Sequence, residues 1–176
     1  MTMRFPDDPV GGFPAPPRTF TDRERREITL RQASREDIEA LVEMYLAFEP
    51  EDRAQGIPPV SEDDIREWLD VVTTEGTLNV VAFHDDRAVG HVMLVGDGTG
   101  AYELAIFVLQ PYQGAHIGTE LVRTGLGLAQ REGIDRVWLT VERWNSPAVA
   151  LYRNIGFERT GNGSFELEMA LRLEQH

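Results

Sequence analysis

The residues from Val108 to Thr119 have the types and spacing of an anion-binding turn. They read Val-Leu-Gln-Pro-Tyr-Gln-Gly-Ala-His-Ile-Gly-Thr. A segment with strand composition precedes them, and residues 120–126 continue as an apolar-periodic segment that is typical of a helix. A tight, glycine-containing turn between a strand and a helix directs several backbone N–H groups and the positive end of the helix toward one place. The sequence therefore predicts a phosphate-binding site that needs no basic side chain.

The segments around this turn predict one domain with a short arm in front of it. Residues 1–26 contain five of the ten prolines and predict an irregular N-terminal arm. Residues 27–176 predict a single domain with the order β-α-α-β-β-β-α-β-α-β-β. This is an α/β (α+β) fold, with a mixed, mainly antiparallel sheet of about seven strands and about four helices on its faces. The predicted strands are Glu27–Gln32, Thr77–Phe83, Arg87–Val95, Tyr102–Leu109, Arg136–Val141, Phe157–Thr160 and Phe165–Leu173.

Capping signals predict where the helices begin and end. Ser34 is followed by Asp37, and Ser61 by Asp64, at the spacing of a capping box. The first helix should end before Pro50, and a loop should follow to residue 60. The last predicted helix covers Ser146–Ile155 and ends at a glycine.

The charge of the chain excludes some classes of partner. The net charge at pH 7 is −13, and all 17 basic residues are arginine. An acidic protein repels nucleic acid and anionic membranes, so we expect neither as a partner. The acidic, lysine-free composition fits a halophile with a high-salt cytoplasm and equally fits a GC-rich genome that prefers arginine codons.

Composition also bears on compartment and metal binding. No run of 18 apolar residues occurs, and the N-terminus lacks the basic-then-apolar pattern of a secretory signal, so we expect a cytoplasmic protein. With no cysteine, the chain has no disulfide, cysteine nucleophile or cysteine-based metal site. His84 and His91 lie in predicted strands without a second ligand at metal-binding spacing. We therefore interpret both histidines as structural and predict no metal site.

Two blocks of the sequence resemble the signature of the GCN5-related N-acetyltransferase (GNAT) family. Gln113-Gly-Ala-His-Ile-Gly118 is similar to the family's Gln/Arg-x-x-Gly-x-Gly/Ala. The block from Asn145 to Phe157 is similar to its Asn-x-x-Ala-x-x-Leu-Tyr-x-x-x-Gly-Phe. The resemblance covers about residues 27–173, and it implies a GNAT-like sheet that binds acetyl-coenzyme A.

The resemblance implies a location for each part of this cosubstrate. The pyrophosphate would bind the turn, and the pantetheine arm would pair with the edge of the preceding strand like an additional strand. A bulge in that strand would make the next strand, Arg136–Val141, splay away. An amide N–H near Val108 could polarise the thioester carbonyl. The implied cofactor-binding residues are Ile106, Phe107, Val108, Gln113, Gly114, Ala115, His116, Ile117, Gly118, Thr119 and Asn145.

The resemblance also implies direct attack of a primary amine on acetyl-CoA. Tyr152 would be the general acid that protonates the CoA thiolate, because a phenol with a pKa of about 10 can supply a proton. Alternatively, Tyr152 is a core-facing aromatic residue. Glu103 is the first candidate for the general base, Glu142 is the second, and a chain of water molecules is the third. For both carboxylates the alternative is an ordinary surface position.

His116 departs from the family pattern, which has glycine at this position. Its Cβ could crowd the phosphates, or its imidazole could donate a hydrogen bond to one of them. Gly125 and Gly127 interrupt the following helix, and we expect close packing of the helix on the sheet to be the reason. Asn145 should cap the helix that carries Tyr152, and Trp144 should either line the mouth of the site or only pack.

The acceptor should be determined by the first half of the chain. An acidic rim there would attract a cationic amine, either a small molecule or an amine of a protein N-terminus or side chain. A homodimer is possible by analogy with the family. The alternative function is a non-catalytic CoA-binding sensor or regulatory module. The residues of the expected rim are Glu43, Glu49, Glu51, Asp52, Glu62, Asp63 and Asp64.

Overall fold

The structure is a computed structural model that describes residues 4–49, 58–74, 76–162 and 165–175, without the side chain of Asn162. Eight strands form one sheet in the order β1-β2-β3-β4-β5-β6-β8-β7. The strands are β1 (Arg18–Thr21), β2 (Glu27–Gln32), β3 (Thr77–His84), β4 (Arg87–Gly96), β5 (Tyr102–Val108), β6 (Arg136–Glu142), β7 (Glu158–Asn162) and β8 (Glu166–Arg172). The helices are α1 (Ile38–Leu46), α2 (Glu62–Val72), α3 (Ile117–Arg131) and α4 (Ser146–Ile155). No helix within these ranges is long and apolar enough to cross a membrane.

The predicted fold class and element order are confirmed, and the capping signals act as expected. Ser61 Oγ accepts from the N–H of Asp64 at 3.2 Å and begins α2. The carboxylate of Asp37 accepts from the N–H of Ser34 at 2.8 Å in front of α1. The predicted stop at Pro50 and most of the loop after it lie outside the described residues.

The sheet opens between β5 and β6, which is the one parallel pair of neighbours. The two strands pair only at Tyr102 with Val137 and at Glu103 with Trp138. Beyond that point β6 follows β8, with which it pairs along its whole length. The predicted splay is therefore confirmed.

The prediction that a bulge in β5 causes this splay is wrong. The pairing of β4 with β5 is continuous, and the register shift lies between β3 and β4, at Ala82 and Phe83. The opening needs no bulge in β5, because the antiparallel partner β8 carries β6 away from β5.

The helices cover the two faces of the sheet. Side chains alternate along β4, so that His91 faces Tyr45 of α1. Val92 and Leu94 of the same strand face Gly125 of α3. The helix pair α1–α2 therefore packs on one face, and α3 packs on the opposite face.

The prediction of an irregular N-terminal arm is wrong for residues 18–21. These residues form β1 and pair antiparallel with β2, from Arg18 with Leu30 to Thr21 with Glu27. The strand is short and carries a single large apolar side chain, Phe20, so its periodicity is weak. Its pairing with β2, which no local pattern reveals, supplies its hydrogen bonds.

The rest of the arm also lies against the domain. The N–H of Val10 donates to the carbonyl of Arg172 at 2.8 Å, and Val10 forms a parallel bridge with Leu173. Arg131 of α3 donates to the carbonyl of Pro16 at 3.2 Å.

Two glycines allow α3 to approach its neighbours closely. A Cβ on Gly125 would lie 3.1 Å from Val92 of β4, so the prediction of close helix–sheet packing is confirmed for this glycine. A Cβ on Gly127 would lie 2.2 Å from the carbonyl oxygen of Pro14. The prediction is wrong for Gly127, because the arm and not the sheet occupies the space beside it.

A buried polar network connects α1 to the sheet. The Tyr45 hydroxyl lies 2.6 Å from Nδ1 of His91, and Nε2 of His91 lies 2.8 Å from Oδ1 of Asn79. The Asn79 amide nitrogen donates to the carbonyl of Val72. Since Oδ1 can only accept, Nε2 of His91 carries the proton and Nδ1 accepts from Tyr45. Burial lowers the pKa of His91 to about 3, so the ring is neutral and its structural role is confirmed.

Gly127→Ala should release the N-terminal arm. In an isolated helix this change stabilises by about 1 kcal/mol, but here the new methyl group would overlap the carbonyl of Pro14. We expect faster proteolysis within residues 1–17 and a lower melting temperature. Gly125→Ala is the control, because it adds the same methyl group against the sheet and should leave the arm protected. Equal protection of the arm in both variants would contradict this account.

His91 should make the stability of the protein depend on pH. Its folded pKa of about 3 lies below the unfolded value of about 6.5, so the unfolded chain binds a proton first as the pH falls. The free energy of unfolding should therefore decrease by about 1 kcal/mol between pH 7 and pH 5.5 because of this residue. Chemical denaturation at both pH values measures the change. His91→Gln should remove that part of the decrease, and an identical decrease in the variant would refute the assignment.

Candidate active site

The opening between β5 and β6 is the floor of a groove with a volume of about 830 Å³. One wall is β5, the other is the end of β6, and α4 and the start of α3 close the sides. The predicted site residues among its lining are Glu103, Ile106, Phe107, Val108, Gln113, Gly114, His116, Gly118, Thr119, Glu142, Asn145 and Tyr152. Tertiary structure thus brings together residues from four separate elements.

The backbone of β5 presents hydrogen-bonding groups to this groove. The N–H of Leu109 donates to the carbonyl of Val89 on β4, so its backbone is directed away from the groove. Because successive residues of a strand alternate, the backbone groups of Ile106 and Val108 point the other way, into the opening. Phe107 contributes its side chain, whose ring lies 5.7 Å from the ring of Tyr45.

The turn after β5 exposes a row of backbone donors. Among the described residues, no acceptor pairs with the N–H groups of residues 114–119, whereas the N–H of Glu120 donates to the carbonyl of His116. Gly114 has a φ of +74° and His116 a φ of +79°, which turns the chain sharply into α3. The Gln113 side chain donates to the carbonyl of Val108 at 3.0 Å and fixes the turn against β5. The result is a concave set of N–H groups at a helix N-terminus, suited to an anion.

Two predicted residues contribute only backbone to this turn. The side chains of Ala115 and Ile117 are buried, at 1% and 0% exposure. Gly118 lies at the start of α3, where a Cβ would be in ordinary van der Waals contact with Leu151 of α4, at 3.6 Å. Packing therefore does not require glycine at this position.

Arg23 is a groove residue that the sequence analysis missed. It belongs to the turn between β1 and β2, and its guanidinium Nη2 lies 3.4 Å from Nε2 of His116. Its backbone N–H donates to the carbonyl of Ala115 at 3.2 Å. No signal in the sequence connects Arg23 with His116, because 93 positions separate them.

Tyr152 lies in the wall of the groove that α4 forms. Its side chain is only 8% exposed and its ring packs edge-on against Phe157, with centroids 5.8 Å apart. Burial raises the pKa of Tyr152 to about 12, so the phenol stays protonated at any ordinary pH. Tyr152 is therefore a packed aromatic residue that lines the groove with its phenol protonated.

Among the described residues, three carboxylates line the groove. Glu103 comes from β5, Glu142 from β6, and Glu166 from β8, where it pairs with Glu142. Desolvation, together with the negative charges of Asp97 and Glu166, raises the pKa of Glu103 above its usual value. The sequence analysis missed Glu166, because only the pairing of β6 with β8 brings it beside Glu142.

Asn145 and Trp144 are adjacent in sequence but have different surroundings. Asn145 Oδ1 accepts from the N–H of Ala148 at 3.3 Å, so the predicted cap of α4 is confirmed, and the residue also lines the groove. Trp144 is 64% exposed and packs against Phe165 outside the groove lining. The expectation that Trp144 only packs is therefore confirmed, and the expectation that it lines the mouth of the site is not.

The expected acidic rim does not line the groove. Glu51 and Asp52 lie outside the described residues, and the other five members are absent from the lining. Glu62 instead pairs with Arg66 on α2. In the part of the chain that the structure describes, the carboxylates that line the groove come from strands of the sheet.

His84 contacts Tyr112, which lies between β5 and the N–H-lined turn. Its Nδ1 lies 2.6 Å from the hydroxyl of Tyr112, which confirms a structural role. In the part of the chain that the structure describes, no three His, Asp or Glu side chains are grouped closely enough to hold a metal ion.

The sequence and the fold match known acetyltransferases. Residues 38–157 match the model of the acetyltransferase (GNAT) family. An uncharacterized N-acetyltransferase of Mycobacterium tuberculosis is 34% identical over 89 residues, which is 50% of this chain and 57% of that protein. Mycothiol acetyltransferase of Thermobifida fusca is 29% identical over 118 residues, 64% of this chain and 36% of that protein. The chain thus spans only about half the length of the Mycobacterium tuberculosis protein and about a third of the length of the Thermobifida fusca enzyme.

Solved structures match the fold over most of the chain. The GNAT domain of S. lividans PAT superposes with a TM-score of 0.77 at 17% identity, covering 89% of this chain and 97% of that one. The yncA protein of Salmonella typhimurium, solved with its cofactor acetyl-CoA, superposes with a TM-score of 0.68 at 21% identity, covering 85% of this chain and 95% of that one. At these identities the likeness establishes the fold alone. Because the family model matches well over half of the chain, the protein belongs to the GNAT family of acetyltransferases.

Proposed function

We propose that the protein is an N-acetyltransferase that transfers the acetyl group of acetyl-CoA directly to a primary amine. The observation that carries the proposal is the combination of an open β5 edge with unpaired N–H groups at residues 114–119, one after the other along the same groove. An extended chain with amides and a diphosphate has the shape and chemistry that such a groove binds.

The groove fits acetyl-CoA along its length. The diphosphate would accept from the N–H groups of the turn, helped by the positive end of α3. The pantetheine amides would pair with the backbone of Ile106 and Val108, as a strand added to a sheet edge does. A β5 N–H near Val108 that points into the opening and is not taken by the pantetheine would donate to the thioester oxygen as negative charge develops there.

Tyr152 would act as the general acid. Attack of the amine forms a tetrahedral intermediate, and its collapse breaks the C–S bond and releases a thiolate. The phenol of Tyr152 would donate its proton to that sulfur. A pKa of about 12 makes this phenol a weaker acid than a free tyrosine. The same apolar surroundings also raise the proton affinity of the thiolate, which partly offsets the weaker acidity of the phenol.

Glu103 would act as the general base that removes a proton from the ammonium form of the acceptor. Its raised pKa, caused first by desolvation, brings it closer to the pKa that suits a base at neutral pH. Glu142, at the other side of the opening, remains the second candidate, and water could relay the proton in either case.

The acceptor would be a cationic amine of a small molecule or of a protein. Glu103, Glu142 and Glu166 give the groove a negative charge that attracts an ammonium group. The relatives include enzymes named for mycothiol and for the alanine of a ribosomal protein, so their names do not restrict the acceptor to one size.

Release of free thiol from acetyl-CoA tests the proposed reaction. The protein is incubated with acetyl-CoA and a panel of polyamines, amino sugars, small amine metabolites and peptides with free N-termini. We expect at least one amine to give turnover. CoA that stabilises the fold against heat without turnover from any amine would favour a non-catalytic CoA-binding sensor instead.

Tyr152→Phe should lower kcat by about 10²–10⁴-fold, the usual contribution of a general acid. Affinity for CoA should change little, because the ring that packs against Phe157 is kept. Tyr102→Phe is the matched control, since Tyr102 lies on β5 outside the groove lining. Steady-state kinetics and calorimetry give the two readouts. An unchanged kcat in Tyr152→Phe would remove this residue from the mechanism.

Glu103 should determine the acid limb of the pH profile. The base must be deprotonated, so kcat/KM should rise with pH through an apparent pKa above the usual glutamate value, because the pKa of Glu103 is raised. Glu103→Gln should lower kcat/KM and abolish this limb, whereas Glu142→Gln should keep it. Loss of the limb only in Glu142→Gln would move the role to Glu142, and loss in neither variant would favour water.

A further inference from the structure

We infer that Arg23 and His116 form a phosphate clamp that the N-terminal arm completes. The inference rests on the proposed CoA binding and adds a ligand from outside the family-matched residues 38–157. The clamp would bind a phosphate of the cofactor by two side chains, beside the backbone N–H groups of the turn.

Two sets of contacts hold the arm against the phosphate turn. Arg23 donates its N–H to the carbonyl of Ala115 at 3.2 Å, inside the turn itself. Arg26 donates to the carbonyl of Pro111 at 3.3 Å, and its guanidinium carbon lies 4.1 Å from the centre of the Tyr112 ring. The arm is therefore fixed at both ends of the turn.

Asp22 gives the arm its own rigid conformation. Its side chain accepts from the N–H groups of Glu24 and Arg26, at 2.9 and 2.8 Å, and pairs with the Arg26 side chain at 2.7 Å. Arg23 lies inside this closed loop. Its backbone therefore has a defined position, and only its side chain must be ordered by a ligand.

The guanidinium of Arg23 is available for an anion. It is exposed, lines the groove, and takes part in none of the ion pairs of the described residues. The neighbouring Arg26 and Arg18 are instead neutralised by Asp22 and Glu120. Nη2 of Arg23 lies 3.4 Å from Nε2 of His116. Because a guanidinium can only donate, Nε2 accepts in this contact and Nδ1 carries the proton of the neutral ring. The other guanidinium N–H groups and the Nδ1–H group are the donors that this pair would offer to phosphate oxygens beside the N–H-lined turn.

The overall charge of the protein makes such a local cation important. CoA carries several negative charges and the chain has a net charge of −13, so the protein as a whole repels its cofactor. Five of the 17 arginines lie in the first 26 residues. The arm brings one of them, Arg23, to the groove.

In this arrangement the side chain of His116, at the position where the family has glycine, would itself bind the phosphate. Its φ of +79° is a conformation that favours glycine, so the side chain is kept at a cost in backbone strain. The imidazole is directed toward Arg23 and the groove, where a hydrogen bond to phosphate offsets that cost. This favours the imidazole as a phosphate ligand over the alternative that its Cβ crowds the site.

Calorimetric titration of the full-length variants with CoA tests the clamp without requiring turnover. Arg23→Gln should weaken CoA binding by about ten- to a hundredfold, as loss of a charge-assisted hydrogen bond does. Arg25→Asn is the matched control, because it removes the same charge from the same turn and asparagine tolerates its φ of +64°. His116→Gly should also weaken binding, and the double variant should lose less than the two single losses combined.

A second titration series, with 3′-dephospho-CoA, identifies which phosphate of the cofactor the clamp binds. If the loss in Arg23→Gln is seen with CoA but not with 3′-dephospho-CoA, the clamp binds the 3′-phosphate; an equal loss with both ligands assigns it to the diphosphate. Arg23→Lys should restore part of the affinity. The clamp is refuted if Arg23→Gln weakens binding no more than Arg25→Asn, or if His116→Gly tightens it. Failure of the wild-type protein to bind CoA would refute the proposed function instead.

Discussion

The separation of β5 from β6 is the feature on which the rest of the structure depends. A sheet normally pairs the backbone N–H and C=O groups of its inner strands along their whole length, but β5 and β6 pair only at Tyr102 and Glu103 of β5, so the backbone groups of Ile106 and the N–H of Val108 have no partner strand. Such groups are available to an extended ligand with amides, as the edge of a sheet is to an added strand. The opening thus provides a strand edge inside the sheet.

The two helical layers give this opening its walls. On one face, aromatic side chains of α1 and α2 pack against Phe107, supported by the buried contact of Tyr45 with His91. On the other face, Gly125 lets α3 approach β4 closely. Hydrogen bonds from Gln113 to the carbonyl of Val108 and from Arg23 to the carbonyl of Ala115 hold the turn from Gln113 to Thr119, so its N–H groups are oriented before any ligand arrives.

The N-terminal arm was the least predictable part of the chain. Its prolines and single large apolar strand residue, Phe20, carry no periodic pattern, yet residues 18–21 extend the sheet and Arg23 reaches the groove. Both features depend on pairing with distant residues, which a local pattern cannot report. The same reason explains the missed Glu166, which faces the groove only because β8 pairs with β6.

The sequence by itself determined the order of the elements, their boundaries within a few residues, and the turn from Gln113 to Thr119. These follow from periodicity, capping and glycine positions, which act over a few neighbouring residues. Only the tertiary structure decided that β8 draws β6 away from β5, that Gly127 accommodates the arm, and that Tyr152, Glu103 and the turn share one groove. Those outcomes depend on contacts between residues far apart in the chain. Local sequence preferences favour none of the possible long-range arrangements over the others, so packing and strand pairing select among them.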